Sequence, residues 1–144
     1  MINPRNFVYS KAAAARILGV EREAIARFEI WAYVCFVHVK GQRPTFIGKK
    51  AFKIHFAEWR KQQAEELTAK RYKDNIFVVI NHQKATKYDV YVWQDGLDCS
   101  CYDYQNQIAL FKGKIACCKH CYSVLNYLGF SNLRDYIEHN RWAS

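Results

Sequence analysis

Cys99-Ser100-Cys101 and Cys118-Lys119-His120 decide how this chain reads, with sixteen residues between the two triplets. Three thiols and an imidazole arrive as two tight pairs, Cys-x-Cys and Cys-x-His. Zn²⁺ takes four soft or borderline donors in a tetrahedron, and a short pair lets one loop present two of them at once. Each pair orders little chain, and the ion then closes the single long loop. Two more thiols, Cys117 and Cys121, flank the second pair. Cys117-x-x-His120 and Cys118-x-x-Cys121 are therefore alternative half-sites, since Cys-x-x-Cys is common at zinc.

Working outward, the chain has 144 residues, of which 51% are hydrophobic and 16% aromatic. That is enough apolar surface for a real core and excludes a disordered chain. Runs such as Ile76-Phe77-Val78-Val79-Ile80 are far too short to span a bilayer. No charged-then-apolar leader opens the sequence, so the expectation is a cytoplasmic protein, nucleoid-associated if it binds DNA, with no membrane partner. Six cysteines could also form a disulfide framework, but adjacent residues such as Cys117 and Cys118 rarely bridge each other. Without a leader, metal is the favoured reading.

The formal charge of +9 is unevenly spread. Residues 1–74 hold 15 Lys and Arg against 7 Asp and Glu, a net +8, whereas residues 75–144 hold 7 against 6, a net +1. Three thiolates around Zn²⁺ would take the second half to neutrality. Polyanion-seeking character lies in the first half.

There, Ser10 caps an expected helix over Lys11–Leu18, whose four alanines favour helix and close packing. Gly19 ends it at a positive φ. A second helix is expected through Glu21–Phe28, with Leu18, Val20, Ile25 and Phe28 inward and Arg22, Glu23 and Arg27 outward. Ala14-Ala15-Arg16-Ile17-Leu18-Gly19-Val20 followed by Ala24-Ile25-Ala26-Arg27 resembles the helix-turn-helix of excisionase- and mercury-regulator-type DNA-binding domains. Those families carry a wing. Val34–Val39, Lys40-Gly41-Gln42-Arg43-Pro44 and Thr45-Phe46-Ile47 offer one, as a hairpin with Lys40 and Arg43 at its tip. One departure is Glu21, which stands where such motifs usually have a Ser or Thr cap. The resemblance implies that Arg22, Glu23 and Arg27 face base edges and that Lys40 and Arg43 hold the wing on the backbone.

A long helix is expected from Lys49 to Tyr72, with Phe52, Phe56, Trp59 and Leu67 as its buried stripe. Lys70, Arg71 and Lys73 would complement the negative end of its dipole. Lys49, Lys50 and Lys53 lie near its start, where the dipole disfavours them, which marks them as candidate phosphate contacts. Tyr72-Lys73-Asp74-Asn75 is the expected boundary.

In the second half Ile76–Asn81 and Tyr88–Trp93 read as strands. Asp95-Gly96 turns the chain toward Cys99 and Cys101, and a basic loop over Phe111–Ile115 precedes the second pair. A helix begins near Lys119 and stops at Gly129, and Ser131 caps a last helix containing Leu133, Tyr136 and Ile137. Two strands, Cys-x-Cys, a spacer and Cys-x-His opening a helix resemble the SWIM zinc finger of transposases and chromatin or recombination proteins. Trp93, Cys99–Tyr104, Cys118-Lys119-His120 and Val124-Leu125 carry the likeness. It implies Cys99, Cys101, Cys118 and His120 as Zn²⁺ ligands, binding to DNA or protein, and no catalytic residue. The surplus Cys117 and Cys121 depart from the pattern.

The expected fold class is α+β: a small basic winged helix-turn-helix module over residues 1–74 and a zinc-stabilised ββα SWIM module over residues 75–144. A closed four-ligand site leaves no position for substrate, and Cys118 and His120 lack a third orienting group, so no enzymatic activity is expected. The functional expectation is a zinc-containing DNA-binding regulator or accessory factor in transcription, recombination or mobile-element processes. Lys112, Lys114 and Lys119 are offered as a second contact. The competing class is an adaptor or inhibitor docking on a nucleic-acid enzyme. Helix-turn-helix proteins often pair as homodimers, but no heptad seam is visible here.

Overall fold

The computed structural model describes residues 4–111 and 115–143. The chain divides into two compact units, Met1–Trp59 and Arg60–Ser144. Among the described residues no helix is long and apolar enough to cross a membrane.

The first unit opens with α1 (Pro4–Val8) and α2 (Lys11–Leu18). Ser10 caps α2 by accepting from the Ala13 N–H at 3.0 Å, and Gly19 ends it at φ +70°. The expected second helix is absent. A single 3-10 turn, Arg22–Ala24, leads into β1 (Ile25–Ile30). The physical reason is visible in the register: Ile25 pairs with Val39 and Arg27 with His38, leaving Ala26 as an extra residue. This β-bulge brings Ile25 onto the same face as Phe28 and Ile30. An apolar i, i+3 spacing that imitates a helix is therefore a bulged strand, and no recognition helix of the expected kind exists.

Strands β2 (Val34–Val39) and β3 (Thr45–Gly48) form the expected hairpin and complete an antiparallel β1-β2-β3 sheet. Cys35, Val37 and Val39 alternate inward on β2 and pack with Ala13, Ala14 and Ala15 of α2, Ile25, Ile47 and Phe52. The alanines let the helix lie close on the sheet.

Helix α3 runs from Lys49 to Ala64 and stops eight residues short of the expected end. Residues Thr68–Lys73 form strand β4 instead, pairing Thr68 with Ile80 and Lys70 with Val78. Lys70, Arg71 and Lys73 consequently decorate an outer strand of the sheet, where cations discourage pairing with another chain. Of the expected helical stripe, Phe52 is fully buried, whereas Phe56 and Trp59 are half-buried. The segment read as the helix end, Thr68–Lys73, belongs to the second sheet.

That sheet is an antiparallel meander, β4-β5-β6-β7, with β5 (Ile76–Asn81), β6 (Thr86–Trp93) and β7 (Gly96–Cys99). Four strands replace the two expected. Helix α4 (Tyr102–Leu110) fills the spacer between the cysteine pairs. Helix α5 (Lys119–Leu128) lies across the sheet and ends at Gly129 with φ +91°. Every residue from His120 to Leu125 is buried. Helix α6 (Leu133–Ala143) follows. Its first turn is held by Asn132, whose Oδ1 accepts from the Asp135 N–H at 2.8 Å. Asn132 thus takes the capping role expected of Ser131.

Candidate metal centre

Strand β7 ends at Cys99, and Cys101 is the N-cap of α4, its sulfur accepting from the Tyr104 N–H at 3.4 Å. Cys118 is the N-cap of α5, and His120 sits in the first turn of that helix. Two helix N-termini thus converge with a strand end, and both present the positive end of a peptide dipole to a thiol, an arrangement that favours thiolate.

All four side chains are buried, and their ligating atoms lie within 4.8 Å of one another. Cys99 Sγ and Cys118 Sγ each stand 3.7 Å from His120 Nδ1. With Zn–S near 2.3 Å and Zn–N near 2.0–2.1 Å, a tetrahedron places sulfur and nitrogen about 3.6 Å apart and two sulfurs about 3.8 Å apart. The cluster therefore has the dimensions of a Cys₃His site, and its donor chemistry fits a metal ion such as zinc.

Hydrogen bonds from Cys118 and Cys99 hold the Cys101 thiol well below the usual range. Hydrogen bonding to Cys101 pushes the Cys99 and Cys118 thiols well above it. One negative charge can be shared among the three sulfurs, but a second and third in so small a volume need a cation beside them.

The surrounding side chains fix the donors. Tyr88 tilts against the His120 ring at 4.5 Å between centroids. Tyr104 donates from its hydroxyl to Leu97 O at 2.6 Å and Asp98 Oδ1 at 2.9 Å. Its hydroxyl is held protonated, above the usual tyrosine range, by burial and by the bond to Asp98. Gln105 Nε2 donates to Cys99 O at 3.1 Å.

Gln107 is the residue that sequence reading missed. Its side chain is 2% exposed, its Nε2 donates to Cys117 O at 3.1 Å, and its Oε1 accepts from the Cys117 N–H at 2.9 Å. The amide acts as a strand-like partner for the segment that delivers Cys118. Asp103 anchors it, accepting from Gln107 Nε2 at 3.1 Å and from Arg60 at 2.7 and 2.8 Å. A clue was available: a helix carrying Gln at 105 and 107 between two cysteine pairs offers amides where backbone needs partners. Replacing Gln107 with Leu should leave two buried backbone groups unpaired, at about 1–3 kcal/mol each. Chemical denaturation should show the second unit weakened by about 2–6 kcal/mol, and zinc competition should show about 10–100-fold weaker metal retention.

The surplus cysteines fall outside the four-atom cluster. Cys121 Sγ is 3.7 Å from Cys118 Sγ, and hydrogen bonding with Cys117 together with burial keeps its thiol well above the usual range. In that contact the Cys118 thiol is the donor and the Cys121 sulfur the acceptor. Among the other histidines, His55 Nε2 accepts from Arg16 Nε at 3.2 Å, His82 pairs with Thr68 Oγ1 at 3.2 Å, and His139 lies against Phe130.

No protein-family model, curated protein or solved structure matches this chain. The SWIM likeness rests on the residues quoted above alone, and the second helix of the helix-turn-helix likeness is a bulged strand.

The residues singled out for DNA contact are not gathered on one helix. Arg22 and Glu23 are exposed in the 3-10 turn, and Arg27 is on β1 in an ion pair with Glu29. Lys40 and Arg43 are exposed in the β2–β3 turn. Lys49, Lys50 and Lys53 occupy the start of α3, with Lys49 Nζ 5.0 Å from the Tyr9 ring. Lys112 and Lys114 lie outside the described residues.

Proposed function

We propose that this protein is a non-catalytic, zinc-stabilised DNA-binding protein, a regulator or accessory factor, whose second unit is a SWIM-like module and whose first unit supplies the cations. The observation that carries the zinc half is the buried Cys99, Cys101, Cys118 and His120 cluster, with all ligating atoms within 4.8 Å. Four protein donors complete a tetrahedron, so the ion's role is to tie β7, α4 and α5 together and not to present an open coordination position.

The DNA half is supported by charge. Residues 1–59 carry ten Lys and Arg against four Asp and Glu, a net +6. The loss of the expected recognition helix moves the contacts to the hairpin tip and the start of α3. Metal analysis of the purified chain should return one zinc per chain. DNA affinity should fall steeply with salt, with a log–log slope near −4 if about four phosphates are contacted. Salt-independent binding, or none at low salt, would remove the DNA reading while leaving the zinc reading intact.

A further inference from the structure

The β1-β2-β3 sheet buries one face against α2 and α3, and the opposite face is unusual. The outer face of an antiparallel sheet is normally polar. Here Glu29, Phe36 and Phe46 lie in one cross-strand row, and Trp31 folds over the row from the β1–β2 turn. The indole of Trp31 is nearly parallel to Phe36 at 5.6 Å and tilted against Phe46 at 5.1 Å, and the two phenyl rings are 5.7 Å apart. Trp31 remains 44% exposed and Phe46 53%. Three rings form a platform that no element of the first unit covers among the described residues.

Its rim is cationic. The Arg27 guanidinium sits 5.7 Å from the Phe36 ring centroid, and Arg27 pairs across the strands with His38. Lys40 and Arg43 are exposed at the turn four to seven residues beyond Phe36, roughly 13 Å along the strand. Glu29 is the acidic residue of this face. Its carboxylate pairs with Arg27 and accepts from Trp31 Nε1 at 3.1 Å, so it orients the platform and carries little free charge.

We propose that this open sheet face binds single-stranded DNA, with bases stacking on Trp31 and Phe46 and phosphates running toward Lys40 and Arg43. The inference rests on the DNA-binding reading above and names the form of DNA. Duplex DNA hides the flat faces of its bases, whereas an unpaired strand offers them to aromatic rings regardless of sequence. Charge selects this occupant over a protein partner: Arg27 is balanced by Glu29, but a surface that only needed apolar contact would gain nothing from Lys40 and Arg43 beside it in a unit of net +6.

The test is fluorescence anisotropy of the full zinc-loaded chain with labelled oligodeoxythymidine, a random duplex of equal length and oligouridine. Oligodeoxythymidine should bind more tightly than duplex and quench part of the tryptophan emission. Trp31→Ala and Phe46→Ala should each weaken it by about 5- to 150-fold. Both rings are half-exposed, so circular dichroism should show both variants folded. Phe46→Leu keeps an apolar side chain but no stacking face, and should fall with Phe46→Ala. If Phe46→Leu binds like the parent, the face is merely apolar and the stacking proposal is overturned. Duplex binding that the Trp31 and Phe46 variants leave unchanged overturns this proposal alone. Binding of oligouridine without oligodeoxythymidine overturns the DNA assignment, and binding of none of the three overturns the DNA-binding reading with it.

Discussion

Cys118→Ser should abolish stoichiometric zinc and unfold the second unit. Cys118 is fully buried, closes α5 as its N-cap, and lies 3.7 Å from His120 Nδ1. Structural zinc supplies on the order of 10 kcal/mol in small sites. A domain's whole stability is about 5–15 kcal/mol, so a unit that relies on the ion cannot survive its loss. A serine hydroxyl at that position is a poor ligand and a buried polar atom besides. Chelation of the parent chain should reproduce the effect: helical and sheet signal from the second unit should be lost, and returned on adding zinc.

The same experiment separates the alternative ligand sets. Cys121→Ser should retain one zinc per chain, because the Cys121 sulfur lies outside the four-atom cluster, and should cost only the weaker stability of a hydroxyl in the core. Loss of zinc in Cys121→Ser with retention in Cys118→Ser would instead assign the ion to the Cys121 side. A melt unchanged by chelation would defeat the structural role altogether.

The candidate metal cluster was legible because metal chemistry is written in residue types at short spacings. Cys99, Cys101, Cys118 and His120 meet although the first and last are twenty-one positions apart. Periodicity could not bring them together; donor chemistry could. Local chemistry also revealed the α2 caps, Ser10 and Gly19, and the β2–β3 hairpin.

The first unit was misread where two periods overlap. Ile25 and Phe28 satisfy an i, i+3 helical spacing, but Phe28, Glu29, Ile30 and Arg27 alternate as a strand does, and the bulge at Ala26 reconciles the two patterns. In Thr68–Lys73 no apolar alternation marks an outer strand at all; its partner β5 makes it a strand. Tertiary pairing overrides local propensity there. Gln107 escaped because the two glutamines of the spacer signal only available amides, and the Cys117 backbone that Gln107 pairs with lies ten residues further along the chain. The aromatic platform escaped because Trp31, Phe36 and Phe46 belong to three consecutive segments and share a face only in the folded register.

Phe52→Ala should unfold the first unit while leaving the zinc in place. Phe52 is fully buried among Cys35, Val37 and Ile47, with Tyr9 edge-on at 5.7 Å and Phe28 tilted at 6.2 Å. Removing a buried phenyl ring costs about 3–5 kcal/mol through lost transfer energy and the cavity left behind. At about 0.05–0.15 kcal/mol per residue, a unit of this size has only about 3–9 kcal/mol to lose. Few other substitutions take so large a share, since the α2 side of this core is built from alanines that cannot be truncated much further. Amide exchange provides the readout: protection across Val34–Val39 should collapse, while amides of Ile76–Asn81 and Lys119–Leu128 stay protected and one zinc per chain remains bound. Phe52→Leu, which refills most of the volume, should recover much of the protection. If the exchange of α5 rises together with that of β2, the two cores unfold as one cooperative body, and their separate hydrophobic clusters do not mark separate folding units.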